Sequence, residues 1–302
     1  MTPATPSVNR VIIRPVGGLG NQLFTYAAGL ELARSHGVEL AADDSWFSTQ
    51  DKRAYELDSF QSCAVRVQGG WKPSLQDRFP SGVRYLDKIV GRRVQSKGTF
   101  GEANFFFDEA VANLDVPVSL SGYFQSHKYF QNSYPVLREQ LRSIVEPTEW
   151  FMRESVRLQS LGDWIGIHIR RGDYLEPDIR DFHGLLGETY YSRALDCVER
   201  LVGQLPIVVF SDDPWLEEFP LQVGRREVHV LNAPHASRPI ETVNLMAHSR
   251  AMITANSSLS WWGAWLGERP GRPVLCPRPW FSTRQVDYRD LLLPQWISIG
   301  RD

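Results

Sequence analysis

Short apolar runs rich in β-branched residues alternate along this chain with longer segments whose apolar positions recur every three to four residues. The first run, "VIIRPV" (11–16), leads into a turn holding Gly17, Gly18 and Gly20. Next comes "QLFTYAAGLELARSHG", which places Leu23, Tyr26, Ala27, Leu30 and Ala33 on one helical face and stops at Gly37. "GVELAAD" follows as a second apolar run. Residues 66–107 are rich in Arg, Gly and aromatics and carry little period. "VSLSGYFQS" then predicts a strand with a turn, and "YFQNSYPVLREQLRSIV" a helix.

The second half is more regular. "WIGIHI", "PIVVFS", "EVHVL", "AMITAN" and "PVLCP" predict strands, and between them lie "ETYYSRALDCVERLVGQ", a short "PWLEEF", "PIETVNLMAHS" and "SLSWWGAWLGERP" as helices. Strands separated by helices of this length imply a mostly parallel, doubly wound α/β sheet. With 302 residues there is chain for two domains. "EPTEWFMRESVRLQSLGD" is the expected crossing, which puts a first domain at 1–155 and a second at 156–302.

Ligands of such sheets bind beyond the carboxyl ends of the strands. After "WIGIHI" comes "HIRRGDY", where His168 and Arg170 point to one side if the strand persists and Arg171 to the other. An Arg in that place can grip phosphate oxygens through two parallel hydrogen bonds, with Asp173 holding the guanidinium or imidazole; a structural Arg and Asp pair in a turn is the plainer alternative. After "PIVVFS", Ser211, Asp212 and Asp213 suit either helix capping or the hydroxyl and N–H groups of a nucleoside. After "AMITA", Asn256, Ser257 and Ser258 gather an amide, two hydroxyls and helix N-terminal N–H groups, a receptacle for a diphosphate. Trp261 and Trp265 share a helical face and are expected in the core.

The glycine turn fits neither familiar phosphate loop. Counting from Gly18, the third glycine of a dinucleotide fingerprint is replaced by Leu23, and Asn21 and Gln22 stand where an ATP loop needs Lys and Ser or Thr. It remains a strand, turn and helix that aims backbone N–H groups outward, or a plain connection.

Bulk composition narrows the partners. The formal net charge is -2, so nothing pulls the chain as a whole toward nucleic acid or an anionic membrane. Five of the 33 basic residues are Lys and 28 are Arg, a bias suited to phosphate and carboxylate recognition. Cys63, Cys197 and Cys276 are widely spaced, which suggests a reducing compartment and no structural zinc. "MTPATPSVNR" lacks the features of a leader and no segment is apolar for a membrane span, so a cytoplasmic location is expected. No Asp-x-Asp triplet occurs, so a nucleotide diphosphate would be stabilised by Arg and backbone donors rather than through a metal.

Taken in order, "GGLGNQLFTYAAGLELA", "HIRRGDY", "FHG" followed by "YYSRAL", "FSDDPW" and "NSSLSWWGAWL" resemble the family 11 glycosyltransferases, α-1,2-fucosyltransferases that use GDP-β-L-fucose. The resemblance spans nearly the whole chain, with Leu259 a departure from the Phe common in its segment. It implies a GT-B-like fold of two Rossmann-like domains facing a central cleft, the first on the acceptor side and the second binding GDP-fucose. It implies inverting, metal-independent transfer to the 2-OH of a terminal galactose of a glycan, with no cofactor, as in building a cell-surface polysaccharide. Peripheral association with a membrane carrying a lipid-linked acceptor is compatible with it. By the same resemblance Arg170 neutralises the β-phosphate with His168 beside it, and Gly20, Asn21 and Gln22 face the diphosphate and fucose. Arg171, Ser211, Asp212, Asn256, Ser257 and Ser258 complete the donor site. For the base that takes the acceptor proton, His183 ranks ahead of Asp173, Asp178 and Asp181. Two other readings stay open: a transferase for another GDP-sugar or linkage, and a non-catalytic nucleotide-sugar or glycan-binding module.

Overall fold

A computed structural model describes residues 9–68, 95–96, 98–102, 105–172, 177–211, 227–283 and 286–301, with the backbone alone at 95–96 and 177–179. The chain forms two compact units. One runs to Gln140 and takes back Asp287–Leu291, and the other spans Leu141–Val286 and Leu292–Asp302.

The first unit carries strands β1 (Arg10–Ile13), β2 (Glu39–Asp43), β3 (Val65–Val67), β4 (Gln95–Ser96), β5 (Thr99–Gly101) and β6 (Val118–Ser121). Their order is β3-β2-β1-β6-β5-β4, parallel throughout except for the β4–β5 pair. Helix α1 (Leu19–His36) follows β1, capped by Gly18. It begins three residues before the expected start, so Gly20, Asn21 and Gln22 form its first turn rather than a loop. Bonds from Gly37 N to Arg34 O and from Val38 N to Ala33 O close it, as the glycine signal predicts. Through Ala33 it is buried on nearly every side, because the helix lies across β1 and β2 on one side and under the turn at 127–133 on the other. Where one helix is expected over 129–145, there is instead a 3-10 segment His127–Ser133, kinked at Phe130, and then α2 (Tyr134–Arg142).

The change of unit falls at Gln140/Leu141 and not at 155/156. Helix α3 (Glu149–Ser160) belongs wholly to the second unit, and the reason is a buried carboxylate. Glu241, fully buried, accepts from Thr148 N at 2.7 Å and from Thr148 Oγ1 at 2.9 Å. Thr148 in turn caps α3 through Phe151 N.

The second unit holds β7 (Ile165–Ile169), α4 (Pro177–His183), α5 (Glu188–Val202), β8 (Ile207–Ser211), β9 (Val228–Asn232), α6 (Pro239–Ala247), β10 (Ala251–Ile253), α7 (Ser258–Leu266), β11 (Val274–Arg278) and β12 (Ile297–Gly300). The strand order is β12-β11-β10-β7-β8-β9 and every pairing is parallel. Ile165, Ile167 and Ile169 join Tyr190, Tyr191, Ala194 and Val198 of α5 in a single core. Trp261, Trp262 and Trp265 are fully buried, so the tryptophans of α7 are core, as expected. The segment "PWLEEF" lies outside the described residues. No described helix is long and apolar enough to cross a membrane.

Candidate active site

In the second unit the chain leaves β7 toward β8 and β9, then returns to lay β10 on the other flank of β7. The carboxyl ends of β7 and β10 therefore flank the point where the winding reverses, which is where a doubly wound sheet opens a crevice. His168 is the fourth residue of β7 and nearly buried. Because Ile167 and Ile169 face α5, His168 faces the opposite side of the sheet. The strand ends at Ile169, so Arg170 and Arg171 begin the following loop, both half-buried.

Two adjacent tyrosines fix these strand ends. Tyr191 OH donates to His168 O at 3.1 Å and Tyr190 OH donates to Thr254 O at 2.6 Å. Burial pushes the Tyr190 phenol well above its ordinary range, so it stays protonated and keeps donating. The first turn of α5 thus grips both strands at the reversal point. The motif "YYSRAL" contains both residues, but nothing in its spacing tells a core tyrosine from one that bonds a strand end.

Asn256, 2% exposed, lies just past β10 and donates from Nδ2 to His183 O at 2.7 Å and to Gly184 O at 3.1 Å. Arg301 donates to His183 O at 2.9 Å and to Leu185 O at 3.3 Å. Gly184 has φ +68, and a Cβ there would collide with Ser282 and Arg301. The His183 ring packs on Phe182 and Phe281, with centroids 4.9 and 5.6 Å away. His183 is therefore brought to the end of β10 by side chains distant in sequence, and Arg301 carries no signal that would have marked it.

Ser257 caps α7, yet its hydroxyl makes no capping bond, and Ser258 opens the helix half-exposed. Ser260 ties back to Ala255 O and Ser257 O and holds the turn. Ser211, nearly buried, ends β8 opposite Ile169. Asp173, Asp212 and Asp213 lie outside the described residues, and at Asp178 only the backbone is described. Asp181 is exposed and sits 3.8 Å from Arg180.

The glycine turn of the first unit also lies at a reversal, between β1 and β6. Gly17 has φ +75, which only glycine adopts without strain. Gln22, fully buried, donates from Nε2 to Gly17 O at 2.9 Å and to Ala54 O at 2.8 Å, and accepts from Glu56 N at 2.9 Å. Its carboxamide braces the turn against residues 54–56. Asn21 is half-buried, and its Oδ1 accepts from Gln125 Nε2 at 2.9 Å. Gly20 is buried under the turn. Among the described residues no three His, Cys, Asp or Glu side chains are grouped to hold a metal ion.

Residues 106–300 match the family described as Glycosyl transferase family 11. The chain belongs to that family. An O-antigen biosynthesis glycosyltransferase, WbnK, of Escherichia coli is 30% identical, covering 94% of this chain and 98% of the relative. An alpha-1,2-colitosyltransferase of the same organism is 26% identical, with coverage of 96% and 99%. Galactoside alpha-(1,2)-fucosyltransferase 1 of Plecturocebus brunneus is 24% identical over 96% of this chain and 75% of its own length. Among solved structures, POFUT1 in complex with GDP-fucose aligns with TM-score 0.54 at 12% identity, covering 90% of this chain and 98% of that one. NodZ alpha-1,6-fucosyltransferase soaked with GDP-fucose aligns at 0.51 and 14%, with 86% and 93% covered. The fold of this family 11 enzyme is GT-B, an α/β architecture with two parallel sheets, and the protein is a glycosyltransferase.

Proposed function

We propose that this enzyme is an inverting, metal-independent α-1,2-fucosyltransferase that moves L-fucose from GDP-β-L-fucose to the 2-OH of a terminal galactose. The observation that carries the reading is the reversal point of the second unit, where β7 delivers His168 and Arg170 and Asn256 holds His183 beyond β10. Arg170 and Arg171, with the N-terminal N–H groups of α7 and the hydroxyls of Ser257 and Ser258, suit a diphosphate. As the bond between the anomeric carbon and the β-phosphate oxygen breaks, its electron pair goes to that oxygen, and the guanidinium groups stabilise the growing charge. The acceptor oxygen forms its bond to the opposite face of the anomeric carbon, and His183 takes the released proton.

In this reading Asn21 is a residue that meets the donor diphosphate. Asn256 and Gln22 contribute by holding neighbours rather than by touching substrate, since their amide donors are already engaged. Arg170 and His183 are the residues on which chemistry rests. The named activities of the relatives favour one alternative over others, transfer of colitose in the same linkage. The experiment is incubation with GDP-fucose, the corresponding colitose donor and GDP-mannose, each with a panel of β-galactosides and a chelator. Transfer of fucose with an α-1,2 product linkage is expected. No fucose transfer across the panel, or an absolute need for added metal, overturns the reading.

A further inference from the structure

Among the described residues of the first unit, the loop after β6 holds the one non-glycine residue with a positive φ. Phe124 adopts φ +50, although it is bulky and fully buried. Such a conformation persists only where the surroundings impose it, and it gathers at functional sites. Here the imposing group is Glu102, itself 7% exposed, one residue past β5. Its Oε2 accepts from Tyr123 N at 2.8 Å and from Phe124 N at 3.0 Å. A Cβ on Gly122, whose φ is +155, would meet Glu102, so this carboxylate lies directly against the loop. The Phe124 ring is held edge-on by Tyr129 at 5.3 Å. Thr25 Oγ1 ties α1 to the same loop, 3.1 Å from Gly122 O and 3.3 Å from Asn21 O.

What the loop delivers is the side chain of Gln125, whose Nε2 donates to Asn21 Oδ1. That bond selects one of two orientations for a carboxamide that is otherwise nearly symmetric in shape. With the oxygen turned to Gln125, Nδ2 lies over the glycine turn, 2.9 Å from where a Cβ on Gly17 would stand, and donates to no described residue. The reverse orientation would present an oxygen where an anion is expected.

We propose that Glu102 is a positioning residue for glycosyl transfer: through the backbone of residues 122–126 and the carboxamide of Gln125, it sets the orientation of Asn21 so that N–H groups face the sugar nucleotide. This rests on the reading above that Asn21 meets the donor diphosphate. The decisive variant is Gln125→Glu, which keeps the shape but can only accept, so Asn21 must turn its N–H groups away from the turn. Turnover of GDP-fucose should fall at least about tenfold, by analogy with the loss of one transition-state donor. Glu102→Gln should act in the same direction, and neither change should add to the loss already caused by Asn21→Ala. Gln125→Glu retaining turnover within about twofold of wild type, or either effect persisting undiminished beside Asn21→Ala, overturns the proposal. Hydrogen exchange reads the loop with no donor present: Glu102→Gln should speed exchange at Tyr123 and Phe124 N–H. Unchanged exchange overturns the inference whatever the donor proves to be. Faster exchange in a protein inert toward GDP-fucose supports the bond from Glu102 to the loop and removes the functional reading alone.

Discussion

Asn256 offers a sharp test of how the second unit is built, because it and Arg301 together hold the carbonyls of residues 183–185. In Asn256→Ala, two buried hydrogen bonds of 2.7 and 3.1 Å are lost. At a net ~1 kcal/mol each, the loss of folding stability should be about 2 kcal/mol. His183 O keeps its bond from Arg301, so the segment is loosened rather than released. Asn256→Asp has the same shape but replaces the donor with an acceptor facing two carbonyl oxygens at a position 2% exposed. An unpaired buried carboxylate raises the cost to about 3–5 kcal/mol at neutral pH. The folded-state pKa of that carboxyl must then lie above its unfolded value. The folded state therefore binds the extra proton more readily, and the deficit should shrink as pH falls toward 4. Urea unfolding followed by intrinsic fluorescence gives the stabilities, and initial transfer rates give the functional effect. A displacement of His183 by even ~1 Å should lower turnover by tens of fold. Wild-type stability and turnover in Asn256→Asp at pH 7 would refute both the clasp and the placement of His183.

Further outcomes follow from the same structure. Arg170→Lys should lower turnover at least about tenfold without destabilising the fold, since a half-buried fork of donors becomes a point charge; steady-state kinetics beside a melting curve checks it. Gly184→Ala should destabilise by about 1–3 kcal/mol or more, because φ +68 and the nearby Ser282 and Arg301 leave a methyl nowhere to go; a lower Tm measures it and an unchanged Tm refutes it. Burial pushes the Cys276 thiol up to about 12 from 9.0, so its thiolate fraction at pH 8 should be about a thousandfold below that of an ordinary thiol. Iodoacetamide should label exposed Cys63 in the native protein and reach Cys276 only after unfolding, which peptide mass analysis resolves.

Much of the framework is legible in the residue pattern. β7, β8, β10 and β11 coincide with the apolar runs, because strands covered on both faces need near-continuous apolar sequence, and the edge strand β9 is marked by its own short β-branched run. β12 escapes notice for the opposite reason: Ile297 and Ile299 alternate with exposed neighbours at a sheet edge, a four-residue signal too brief to stand out. α4 is only seven residues long. The boundary is misplaced at 155/156 because the pattern of α3 says that it is amphipathic but not which unit covers its apolar face. Thr148 and Glu241, 93 residues apart, settle that.

By itself the sequence determined the class of fold, two runs of strand and helix with chemistry-bearing residues at the strand ends, since period and glycine punctuation are local properties of the chain. It also marked "HIRRGDY", the glycine turn and "NSS" as the places to look. Only the tertiary structure decided which of those side chains remain to meet a ligand. Gln22 and Asn256 are engaged by carbonyls 32 and 73 residues away, whereas Asn21 is oriented by Gln125, 104 residues on. Pairing at such separations depends on the path of the chain through the sheet order, and no local pattern records that path.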